Sequence, residues 1–125
     1  DHVWYHILKV DPDARIVDLL LKFAANERIV LHRHHADYST FVIQGELRIY
    51  SEDGEIREIR PTGSFVEKPA GGAPHTEGGG DEDCIAWFSN RYSTSAYAIP
   101  AALHIAAVRL CVFSRISPTT KPPPW

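Results

Sequence analysis

Turn signals cut this chain so often that few runs are left long enough for a helix. Asp11-Pro12-Asp13, Ala24-Ala25-Asn26-Glu27, Gly45, Glu52-Asp53-Gly54 and Pro61-Thr62-Gly63 punctuate it, followed by the proline- and glycine-rich stretch 69–74 and Gly78-Gly79-Gly80. Proline presets φ, glycine supplies positive φ, and Asp and Asn bond their own backbone, so each cluster reverses the chain. The Asp53-Gly54 pair marks a tight hairpin. Between these turns lie short apolar or alternating runs. They predict strands over residues 5–10, 16–23, 28–34, 39–44, 46–50, 56–60, 64–67 and 83–89. Strands at this spacing, with no helical period and no internal repeat before residue 90, predict an all-β sandwich or barrel. At 125 residues the chain has the length of one domain with a real core.

Two histidines, His32 and His34, stand one residue apart in one predicted strand. Side chains alternate along a strand, so both point to the same face, and His35 points to the other. A third, His75, follows Pro74 at the end of a turn-rich stretch. Neutral imidazole is the commonest metal ligand. Three histidines that leave coordination positions open make a chemical centre rather than a structural rivet.

The segment from Asn26 through Leu31-His32-Arg33-His34 to Gly45 resembles the first cupin motif. Gly63, then Pro69-Ala70-Gly71 and His75, resembles the second. The resemblance covers roughly residues 5–90 and implies a single-domain, all-β jelly-roll barrel, the double-stranded β-helix, with one metal held by His32, His34 and His75. In the first motif Tyr38 stands where cupins often carry a carboxylate. The chain therefore resembles the three-histidine branch, and most of all the small monocupins of the dihydroxyacetophenone and acetylacetone dioxygenase type. The expected division is a barrel over residues 1–92 and a segment of uncertain role over 93–125, and a homodimer is expected because cupins often pair and edge strands need covering.

Three imidazoles without a carboxylate leave a divalent ion its full charge. Nitrogen donors suit Fe(II) and Cu(II), and these two remain open as the one transition metal per chain. The implied activity is a mononuclear oxidoreductase that uses O2 or peroxide to cleave a small diketone or hydroxyaryl ketone. Copper-dependent oxidative cleavage of a polysaccharide such as cellulose is an alternative, and a non-catalytic metal-dependent binding module is another. Tyr38 is the candidate catalytic residue, as a hydrogen-bond donor to bound oxygen, a weak ligand or a rim aromatic. Glu67 and Glu77 read as rim charges that could serve as bases. Trp4, Trp87, Phe41 and Phe65 read as core or pocket wall.

A net charge of −3 leaves no electrostatic footprint for nucleic acid. No apolar run reaches membrane-spanning length, so the expected partner is a small molecule or carbohydrate. A soluble protein is expected, cytoplasmic or secreted after loss of a leader, since the chain begins at Asp1. Cys84 and Cys111 have no metal or disulfide spacing and read as core thiols. Charge is divided unevenly. All acidic residues lie at or before Asp83, giving residues 1–83 a charge of −7 and residues 84–125 a charge of +4. The acid-free end has a linker-like Ser93-Thr94-Ser95, an apolar run over 98–113 open to helix or strand, and a proline-rich terminus. It reads as a basic tail, a dimer contact, or the product of a changed reading frame.

Overall fold

The structure, a computed structural model, describes residues 2–92. The predicted linker at 93–95, the apolar run at 98–113, Cys111 and the proline-rich end lie outside the described residues. Within them, eight strands follow one another: β1 (Val3–Asp11), β2 (Ile16–Phe23), β3 (Asp37–Gln44), β4 (Glu46–Tyr50), β5 (Ile56–Pro61), β6 (Phe65–Lys68), β7 (Thr76–Gly79) and β8 (Cys84–Arg91). They form a five-stranded sheet in the order β1-β2-β8-β3-β6 and a three-stranded sheet in the order β5-β4-β7. Every pairing is antiparallel. The crossing order, with β8 inserted between β2 and β3, makes this the jelly roll that the resemblance implies.

The core follows from strand alternation. Val17, Leu19, Leu21 and Phe23 of β2 are buried, while the residues between them are half-exposed. Leu47 and Ile49 of β4 face them from the other sheet, and Val42, Ala86 and Phe88 complete the interior. Cys84 is buried among them, and burial pushes its thiol up to about 12, so it is the inert core thiol expected. Asn26 takes the positive φ expected of its turn, at 59°.

Three local expectations fail. Residues 28–34 were expected to form a strand, but they make only isolated bridges, Arg28 to Gly78 and His32 to His75. The chain leaves the five-stranded sheet after β2 and runs as extended backbone beside residues 71–78. Gly78-Gly79-Gly80 was expected to be a loop, yet Gly78 and Gly79 are the buried end of β7. A Cβ on Gly78 would collide with the Glu27 carbonyl, so the missing side chain is what lets the two backbones lie together. Phe41 and Phe65 are neither core nor pocket wall. They are cross-strand partners on the outer face of the five-stranded sheet, 40% and 57% exposed, because their buried neighbours Thr40 and Val42 occupy the inner face.

Candidate metal centre

Two backbone segments are zipped together to build the site. His32 N–H donates to the His75 carbonyl and His75 N–H donates to the His32 carbonyl, both at 3.0 Å. Ile29 N–H donates to Glu77 O at 2.9 Å, and Gly71 N–H to His34 O at 3.0 Å. These bonds hold residues 29–34 antiparallel to residues 71–77. His32 and His34 share one face, as expected, and both are buried, whereas Arg33 and His35 are exposed. His75 and Glu77 share a face of their own strand by the same alternation.

The three imidazole rings lie 4.6 to 5.1 Å apart, centre to centre. One ligand atom from each of His32, His34, His75 and Glu77 can be chosen so that all four lie within 4.8 Å of one another. All four side chains are buried, and Glu77 is wholly so. The carboxylate is the finding that corrects the sequence reading. Glu77 was expected at the rim, and the centre was expected to consist of histidines alone because Tyr38 fills the carboxylate position of the first motif. Instead β7 supplies the carboxylate, two residues after His75. The His75-x-Glu77 spacing carried that signal, but Gly78-Gly79-Gly80 disguised the strand as a loop.

Hydrogen bonds orient the donors. His32 Nδ1 lies 2.9 Å from Val30 O and His75 Nδ1 lies 3.2 Å from Ala73 O. A carbonyl only accepts, so each Nδ1 carries the proton and each Nε2 presents its lone pair inward. Burial lowers the pKa of all three imidazoles. His34 is pushed down to about 2 by burial and by repulsion from His32 and His75. The rings are therefore neutral and ready to ligate. Glu77 Oε1 is 3.7 Å from His32 Nε2 and its Oε2 is 4.0 Å from His75 Nε2, but beside neutral rings these are not ion pairs. Burial drives the Glu77 pKa up, with His75 and Arg60 opposing.

These residues fit a metal ion. Both Glu77 oxygens and His75 Nε2 are buried without a hydrogen-bond partner. A buried carboxyl with no donor costs several kcal/mol of solvation, and a cation bound among these atoms would repay it. Three imidazoles and one carboxylate suit a first-row divalent ion, and the added carboxylate widens the range toward harder ions.

Tyr38 lies beside the cluster. Its ring stacks on His34 at 3.9 Å between centres and 19° between planes. Burial raises its pKa, reinforced by Glu77, while a hydrogen bond and the charge of Arg60 work against both. Arg60 is a buried cation with no warning in the sequence. Its Nε and Nη2 donate to Glu58 at 2.8 and 3.1 Å, and its Nη1 donates to Thr40 Oγ1 at 3.1 Å. Glu67 is exposed, as expected of a rim charge, and accepts from the Ser39 hydroxyl at 3.4 Å. A pocket of about 80 Å³ opens over the cluster, lined by His34, Tyr38, Lys68, Pro69, Gly72, Ala73 and His75.

The jelly roll gathers three histidines and a glutamate inside it, a site suited to one metal ion. The solved structures that resemble it agree on the fold. A cupin domain from Bordetella pertussis Tohama I matches with a TM-score of 0.62 and 16% identity, over 74% of this chain and 95% of that one. A cupin-like protein from Thermotoga maritima matches with a TM-score of 0.62 and 21% identity, over 73% and 69%. The DMSP lyase DddQ from Ruegeria pomeroyi matches with a TM-score of 0.61 and 20% identity, over 76% and 49%. No curated protein matches the sequence. The chain belongs to the family described as domain of unknown function DUF4437, whose model matches residues 8–107.

Proposed function

We propose that this cupin is a metal-dependent oxidoreductase that binds His32, His34, His75 and Glu77 to one divalent ion and oxidatively cleaves a small oxygen-bearing molecule, of the diketone or hydroxyaryl ketone class. The observation that carries the reading is the buried four-donor cluster opening into a small pocket. A divalent ion held there supplies Lewis acidity and, if redox-active, electrons. The chain's own residues do the rest. Pro69 and Ala73 line the pocket mouth, and Tyr38 stands beside His34 at the pocket, placed to hold or donate a proton to a substrate oxygen. The size of the pocket favours a small molecule over a polysaccharide chain, because buried ligands do not reach an extended surface. Oxygen uptake with pentane-2,4-dione and hydroxyacetophenones, on protein loaded separately with Fe(II) and Cu(II), tests it. Turnover with O2 consumption is expected, and turnover without it would overturn the oxidative reading.

A second reading is a metal-assisted lyase reaction that uses no oxidant, with the protonated Tyr38 donating a hydrogen bond to a substrate oxygen. The position of Tyr38 against His34 favours it, and the fold likeness to a protein described as a DMSP lyase is consistent with it. Anaerobic turnover would select this reading.

A further inference from the structure

The pocket over the cluster has a lysine in its lining. Among the residues that line it there is no carboxylate, and Lys68 is the one lysine or arginine. Lys68 ends β6 directly opposite Tyr38 on β3, and paired residues in an antiparallel ladder share a face, so Lys68 stands on the inner face. Its neighbouring acid is Glu58, at 3.8 Å, beyond hydrogen-bonding distance. Glu58 is already engaged through both oxygens by the buried Arg60. Two cations thus share one carboxylate, and the lysine is the loosely held one. Its side chain is 43% exposed, which leaves it room to turn toward the pocket.

A wider groove of about 340 Å³ shares Tyr38, Lys68 and Pro69 with that pocket and is lined also by Asp37, Ser39, Glu67 and Arg91. Asp37 accepts from Ala70 N–H at 2.8 Å and faces Arg91 across the β3–β8 ladder. The inner pocket, at about 80 Å³, exceeds the 10–15 Å³ a single water needs by the same measure, so it has room for a few non-hydrogen atoms.

We infer that the pocket takes a small monocarboxylate, with its carboxylate held by Lys68 and an oxygen donor at its other end directed to the His32, His34, His75 and Glu77 cluster. The inference rests on the metal-dependent reading above and not on the diketone or hydroxyaryl ketone class, in place of which it names a carboxylate-bearing substrate for the same site. Lys68 is then a specificity residue rather than part of the centre, and Lys68→Met leaves all four ligands in place.

The test uses metal-loaded chain and a series of hydroxamates with one to three methylenes ending in a carboxylate, each compared with its uncharged methyl-ended counterpart. The hydroxamate end reports the metal, and the other end reports Lys68. Metal content of wild type and K68M is measured first and is expected to be equal. In wild type at least one charged member of the series binds about tenfold tighter than its uncharged counterpart, equivalent to ~1.4 kcal/mol. That preference falls to near unity in K68M and persists in K68R. A preference that survives K68M, or is absent from wild type throughout the series, overturns the inference and leaves the metal reading intact. A wild-type chain that takes up no metal overturns both.

Discussion

At the scale of single residues, Glu77 separates this centre from a three-histidine site. A carboxylate donor lowers the effective charge of a bound ion, so its removal changes affinity and not only geometry. Glu77→Gln keeps the shape of the side chain and loses the charge. The chain should remain folded by circular dichroism, while metal affinity falls by about tenfold to a hundredfold or more, the range seen even for groups that only support ligands. His34→Ala should abolish both metal and turnover, and an active metal-free variant would contradict the assignment. Arg60 has a different role, because it ties Thr40 to Glu58 beneath Tyr38. Breaking a buried pair costs 3–5 kcal/mol, and Glu58 is part-exposed, so Arg60→Met should cost about 2 kcal/mol by denaturant titration. The three histidines were legible in the sequence because a His-x-His strand has one geometric meaning. Glu77 was half-legible, through its spacing from His75. Arg60 and Lys68 were not, because their environment is set by which strands the topology brings together.

At the scale of elements, the packing of residues 28–34 on β7 positions half of the site. Gly78 is the point of closest approach, and any side chain there forces the backbones apart. Gly78→Ala should destabilise by about 3 kcal/mol or more, as overpacking at its upper range does, and should also reduce metal content. A melting curve paired with metal analysis checks both effects. The sequence reading placed strands well where alternation was clear, as in β2, and failed where glycine replaced the alternating pattern. The turn joining β2 to the crossing segment is fastened by Asp83, which accepts from Ala25 N–H at 3.0 Å and pairs with Lys22 at 3.2 Å. The backbone hydrogen bond from Ala25 and then the bond from Lys22 lower its pKa. A depressed carboxylate stabilises the fold above its unfolded pKa, and that stability is lost as pH falls through the folded value, so the acid limb lies below about pH 4. Asp83→Asn should reduce stability near neutrality and flatten that limb, as followed by unfolding between pH 2 and 7.

At the scale of the whole molecule, the barrel pays a solvation cost to hold a buried carboxylate among neutral imidazoles. Ligand binding to the folded state returns stability as RT ln(1 + [L]/Kd), about 2.7 kcal/mol at a hundredfold excess over Kd. For a domain of this size that raises Tm by roughly 10–20 °C. Chelation should lower it again by the same amount. An all-β sandwich or barrel was readable from turn chemistry and short alternating runs, and the resemblance to the cupin motifs narrowed it to the jelly roll. The reaction was not readable, because the pocket wall comes from segments far apart in the chain. The most direct test of the centre is metal content after stripping and competitive reloading, compared among wild type, E77Q and H34A. One ion per wild-type chain is predicted, with weaker retention in E77Q and none in H34A. A wild-type chain that retains no metal, or an H34A variant that retains as much as wild type, would contradict the account.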